Sequence, residues 1–269
     1  MSRLLEILEE GVEVFDLAQP LATETPHSPN HPPFRMSLMR RHGDMVREDG
    51  SSAANEMIVT GGHTGTHVDA LAHVSYRGEL HGGVSAEEAQ RGGRFRRHGV
   101  DAMPPMVCRG VLLDVAALHG ADALPGGYGI TEEDLAAAAR KAGVEVRAGD
   151  VALIRSGWGR YFGDAHAFLG HDTGVPGPTE EAARWLADRG VRATGAETIA
   201  YEQIKPEIGH ALLPVHRLLL VERGVHIIEV MNLAGLAEAG VSEFLFVLAP
   251  LKIVGGTGSP VRPVAVVGR

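Results

Sequence analysis

Gly110-Val111-Leu112-Leu113-Asp114-Val115-Ala116 is a continuous apolar run broken by one acid near its end. Such a run reads as a strand buried on both faces, the pattern of a parallel sheet covered by helices. From here strand and helix signals alternate. Residues 131–134, Thr-Glu-Glu-Asp, cap a helix that Gly143 ends, and a second helix over 179–189 is closed by Gly190. Strands are predicted over 150–155, 191–196, 224–230, 244–248, 251–254 and 264–267. Upstream, a short helix over 3–10 stops at Gly11, and strands follow over 12–17, 34–41 and 56–60. Ser85-Ala86-Glu87-Glu88 has the form of a capping box. Neither an internal repeat nor a dividing linker interrupts the pattern. The expected fold is α/β, a single mixed-sheet domain over residues 1–269.

Composition sets outer limits. A hydrophobic content of 44% and a charged content of 22% suit a globular protein. The net charge of −9 argues against a nucleic-acid surface, and the basic run over 91–97 reads as a solvated loop. No stretch of 18 apolar residues is present, so no membrane span is expected. A lone cysteine, Cys108, forms no internal disulfide and reads as a small buried residue; the start is acidic and amphipathic rather than a leader. The cytoplasm is the expected location.

The chemistry is concentrated in residues 61–73, Gly-Gly-His-Thr-Gly-Thr-His-Val-Asp-Ala-Leu-Ala-His. Three histidines and one carboxylate within eleven residues are a donor set for zinc, manganese or iron(II). His63 and His67 are four apart, as on a helical turn. Gly61, Gly62 and Gly65 with the β-branched Thr64 and Thr66 oppose a helix, and no Glu follows His63, so the helical metalloprotease pattern is absent. A loop after a strand is the better picture. His67 and Asp69, two apart in extended backbone, then point the same way. His63, His67 and Asp69 are the expected metal ligands, with an open position at which water is activated. His73 can be a further ligand or the acid–base residue; the acid–base role is the expected one, with a hydrogen-bonding support role as the bland alternative.

Two further features stand apart. Glu229 lies inside an apolar strand, where a carboxylate must be paired or metal-bound. His216 precedes an apolar helical run, and together they can complete or brace a metal site. Residues 20–33 hold five prolines and two histidines, His27 and His31, and form an ordered loop or flap. His31 on its own is a weak candidate. Trp158, Phe34 and the flap with His27 are the candidate substrate contacts.

Several segments resemble the cyclase family of metal-dependent hydrolases, which includes isatin hydrolases and kynurenine formamidases. They are the opening 15–21, the stretch 63–69 with His73, residues 109–115, 153–158, and the ending 258–262. The resemblance implies a swivelling β/β/α fold and a zinc- or manganese-dependent homodimer or homotetramer acting on a small-molecule substrate. It matches His63, His67 and Asp69 to metal positions and His73 to the catalytic histidine. It matches His216 and Glu229 to a second metal site of the formamidase branch. Leu71 stands where formamidases usually carry proline, and Glu197 where an Asp is common, which favours the isatin-hydrolase-like branch. The expected reaction is hydrolysis of an amide or lactam of a cyclic or aryl molecule. Arylformamidase or lactone hydrolase activity is the alternative, and a non-catalytic small-molecule or metal-binding protein the competing class.

Overall fold

Alternate residues of the opening run enter two different cores. In the computed structural model, which describes residues 9–268, Val111 and Leu113 pack into one buried cluster with Ile154, Leu135 and Leu186. Leu112 points the other way, into a cluster with Val151, Leu153 and Phe246. Apolar layers on both faces explain why the run shows no polar alternation.

The strands of the central sheet, in chain order, are β1 (Val12–Asp16), β4 (His67–Asp69), β5 (Met106–Asp114), β6 (Val151–Arg155), β7 (Ala193–Ala196), β8 (His226–Glu229), β9 (Glu243–Leu248), β10 (Gly258–Pro260) and β11 (Val264–Gly268). The intervening β2 (Arg35–Arg40) and β3 (Asn55–Val59) pair only with each other. The spatial order is β1-β11-β9-β5-β6-β7-β8-β4-β10. β5, β6, β7 and β8 are mutually parallel, and the flanking strands run antiparallel to their neighbours. This is the mixed sheet expected.

Helix α1 (Glu132–Ala142) begins with a reciprocal capping box between Thr131 and Asp134 and ends at Gly143, whose φ of 67° is left-handed. Helix α2 (Glu180–Asp188) buries Ala182, Ala183, Trp185 and Leu186 on the same side of the sheet. The helix expected over 3–10 lies outside the described residues except for its last two. The strand expected over 251–254 does not form. That segment is irregular, pairs with no strand, and exposes Leu251, Ile253 and Val254. Pro250 removes one ladder donor at its start, and Leu251 gives its N–H to the Ser259 hydroxyl. Among the described residues no helix is long and apolar enough to cross a membrane.

Candidate metal centre

β4 is three residues long, and its pairing builds the site. It lies between β8 and β10, with His67 opposite Glu229 and Asp69 opposite Gly258. The loop before it turns at Gly65, whose φ of 64° a side chain rarely adopts. The Thr66 hydroxyl donates to the Val230 carbonyl at 2.6 Å, tying this loop to the end of β8. Gly258 permits a close approach: a Cβ there would lie 2.5 Å from the His63 ring. His63, His67, Asp69, His216 and Glu229 are all buried. The six residues of the expected site, with partly buried His73, converge from three separate segments: residues 63–73, the helical turn that ends at His216, and β8.

Their contacts fall into two kinds. Some are ordinary hydrogen bonds that fix a ring. His67 Nδ1 lies 2.7 Å from the Gly65 carbonyl, which turns Nε2 inward. His216 Nδ1 lies 2.7 Å from Glu202 Oε1, with the same result. Glu202 also accepts the backbone N–H groups of Val215 and His216. His63 spans Asp69 Oδ1 at 2.7 Å and Thr257 Oγ1 at 2.9 Å.

The second kind are approaches without hydrogen-bond geometry. His67 Nε2 is 3.6 Å from Asp69 Oδ1 and 3.3 Å from Glu229 Oε2. His216 Nε2 is 3.7 Å from Asp69 Oδ2 and 3.1 Å from Glu229 Oε1. Asp69 Oδ2 and Glu229 Oε1 are nevertheless buried without a hydrogen-bond partner. A buried carboxylate oxygen left so is strongly unfavourable. Ligands lie about 2.0–2.2 Å from a bound zinc, so donors sharing one ion stand roughly 3–3.5 Å apart. The observed spacings are close to that range. Two donor sets each lie within 4.8 Å, His63–Asp69–His73 and His67–Asp69–Glu229, and Asp69 belongs to both. The donor set fits a divalent cation.

Electrostatics point the same way. Burial raises the Asp69 carboxyl, but the His73 and His63 rings outweigh it and hold it well below the carboxylate range. Burial lowers His67, yet Glu229 and Asp69 lift it to about 8. His216 is likewise raised against burial, by Glu202 and Glu229. Three buried carboxylates, Asp69, Glu202 and Glu229, thus draw positive charge into the cluster. His73 goes the other way, to about 4, chiefly through burial and against the pull of Asp69.

Backbone strain borders both acidic partners. Val230, directly after Glu229, has φ 56°, and Tyr201, directly before Glu202, also has φ 56°. Positive φ at a β-branched or bulky residue costs on the order of 1–3 kcal/mol and gathers at functional sites.

The substrate candidates are more scattered. Trp158 is buried, donates its indole N–H to the Phe168 carbonyl, and lines a cavity of about 430 Å³ whose walls include none of the six site residues. Phe34 is buried at the base of β2. His27 is partly exposed, with Nδ1 3.4 Å from the Thr25 carbonyl of its own loop. The flap histidine that reaches the cluster is His31, stacked on His63 at 5.0 Å and tilted over His73 at 5.9 Å. His31, Glu202 and Thr257 are the neighbours that sequence reading did not assign to the site.

Residues 15–203 match the family model described as "Putative cyclase". The chain belongs to this cyclase family. An isatin hydrolase of Roseibium aggregatum is 28% identical, the match covering 97% of this chain and 94% of that protein. Among solved structures, a novel cyclase is 28% identical with a TM-score of 0.84, covering 98% of this chain and 92% of that one. Isatin hydrolase A from Ralstonia solanacearum is 27% identical with a TM-score of 0.76, covering 99% and 98%. The cyclase-family match ends at residue 203, but the likeness to these proteins continues through β8 and β10, where the rest of the site lies.

Proposed function

We propose that the protein is a metal-dependent hydrolase that opens a C–N bond of a small cyclic or aryl-bearing amide, with His63, His67, Asp69, His216 and Glu229 holding Mn²⁺ or Zn²⁺ and His73 moving the proton. The observation that carries this reading is the pair of orphaned buried oxygens, Asp69 Oδ2 and Glu229 Oε1, set among inward-facing imidazole nitrogens. An all-nitrogen-and-oxygen donor set without sulfur suits either metal. A bound divalent cation supplies Lewis acidity toward a carbonyl and makes water a stronger acid.

The chain's own residues supply the rest. Gly65 and Glu202 hold the His67 and His216 rings with Nε2 inward, so each ring, once it gives up its Nε2 proton, would offer a fixed lone pair to the cation. The ring of His73 stacks on His63 at 3.8 Å and stands 6.2 Å from that of His216, at the edge of the cluster. Neutral at pH 7, it accepts a proton as water attacks and returns it to the departing nitrogen. The His31 ring lies on one side of this space, tilted 44° with its centroid 5.9 Å from that of His73.

Isatin, an aryl-fused cyclic amide, is the substrate of the similar hydrolases, and Leu71 in place of the formamidase proline supports that branch. The test is a panel of fused lactams, N-formyl anilides and aryl lactones, assayed with added Mn²⁺ or Zn²⁺. Ring opening of a fused lactam should be fastest. A preference for N-formyl anilides would redirect the reading to an arylformamidase, and no turnover of any compound would remove it.

A further inference from the structure

Glu229 is the last residue of β8, and the residue that follows it opposes its own conformation. Val230 has φ 56°, where a β-branched side chain crowds its backbone. It is fully buried, packed with Trp158, Ile199 and Ile204. A valine in that region persists only when its surroundings hold it there.

Two hydrogen bonds grip Val230. Its N–H donates to the Thr198 carbonyl at 3.1 Å, a backbone contact open to any sequence. Its carbonyl accepts from the Thr66 hydroxyl at 2.6 Å, a contact that needs a side-chain donor. Thr66 is buried, and its oxygen also accepts the Gln19 N–H at 2.8 Å. An N–H can only donate, so the single hydroxyl proton is left for Val230. The Thr66 carbonyl in turn accepts the Val261 N–H at 2.9 Å, which fixes the strut at its base. Thr64, the other threonine of the loop, is turned to the flap and donates to the Pro32 carbonyl at 2.8 Å.

We propose that Thr66 is a positioning residue of the metal centre: its hydroxyl holds Val230 left-handed and so fixes how Glu229 presents its carboxylate to the cation. The inference rests on the cation-binding reading of the cluster. Beyond Val230 the chain is anchored, with the Met231 N–H on the Ala196 carbonyl at 3.1 Å and the Asn232 N–H on the Leu17 carbonyl at 2.9 Å. Release of Val230 toward negative φ therefore falls on Glu229. There Oε2 stands 3.3 Å from His67 Nε2 and Oε1 3.1 Å from His216 Nε2. Thr66 also directly precedes His67, which faces Glu229 across the β4–β8 register. One hydroxyl thus sets two donors against each other.

A double-mutant cycle on Thr66 and Val230 tests this, read as Mn²⁺ and Zn²⁺ affinity by competition with a chelating dye. Thr66→Val keeps the shape, removes the hydroxyl, and should weaken affinity by about 10–100-fold. Thr66→Ser keeps the hydroxyl and should bind as wild type does. Glycine adopts positive φ freely, so Val230→Gly removes the need for the strut. In that background Thr66→Val should cost no more than about twofold, the scatter of independent sites. In metal-free protein the Val230 amide should exchange faster in Thr66→Val than in Thr66→Ser, and equal exchange contradicts the strut. If Thr66→Val does not fold, Thr66→Cys, with its weaker donor, takes its place in the cycle. Wild-type affinity in the substituted chain overturns the proposal, and so does an undiminished loss in the Val230→Gly background. Wild-type protein that takes up neither ion overturns the cation reading itself; tight binding that is indifferent to Thr66 overturns this inference alone.

Discussion

Of the three histidine–carboxylate pairs that meet at 2.7 Å among the described residues, two differ in everything around the contact. His119 meets Asp134 at the start of α1, and His63 meets Asp69 on β4. Asp134 is saturated. Its Oδ1 meets His119, and its Oδ2 accepts from the Thr131 backbone, the Thr131 hydroxyl and Tyr128. Asp69 keeps one buried oxygen without a partner, and so does Glu229 beside it. A histidine beside an acid is therefore not in itself a site. What separates the two regions is unspent acceptor capacity at a buried position.

The predictions test that contrast, beginning with the largest effect. Asp69→Asn removes the charge common to both donor sets, and should abolish bound metal and turnover together while the chain still folds. Elemental analysis beside a rate assay checks this; full metal content in the variant would dissolve the contrast. His73→Ala should lower kcat by about 10²–10⁴ and leave metal content unchanged. A variant with unaltered kcat would assign the proton to another group. Glu202→Gln should weaken metal affinity by about 10–100-fold through loss of the His216 orientation, read by competition with a chelating dye. Unchanged affinity would reduce Glu202 to a backbone cap.

The smallest effect belongs to the saturated pair. Asp134→Asn should cost about 1 kcal/mol of stability at pH 7 and leave the rate untouched. Hydrogen bonds from Thr131, His119 and Tyr128 lower the Asp134 carboxyl against burial. Its contribution is thus fully present above the ordinary carboxylate value and fades as pH falls through the lowered one. The gap between wild type and variant in urea melts should close toward acid. A gap that widens toward acid would mean the carboxylate is not what the cap uses.

Local signals in the sequence were enough for the elements that depend on neighbours along the chain. The apolar run over 110–116, the Thr131 cap and the Gly143 stop express themselves within a few residues, and they appear as expected. The cluster over 63–73 was legible because its donors are crowded together, and Glu229 because an acid in an apolar strand needs a reason. Three things were not legible. The partnership of Glu202 with His216 depends on where the chain turns after β7, with Tyr201 in a left-handed conformation that no local pattern announces. His31 and His27 sit in the same proline-rich flap, and only its folded path decides which ring reaches His63. Residues 251–254 have strand composition but pair with no strand: they follow Pro250, and Leu251 gives its N–H to the Ser259 hydroxyl.

A catalytic cation would give the unpartnered oxygens of Asp69 and Glu229 their missing partner. The most direct measurement is to strip the purified protein with a chelator and follow metal content, turnover of a fused lactam and circular dichroism together, then add back Mn²⁺ or Zn²⁺. The account predicts that metal and turnover are lost in parallel, that the protein remains folded, and that the added ion restores the rate. Turnover that persists in metal-free protein, or a chain that unfolds when the metal leaves, would contradict it.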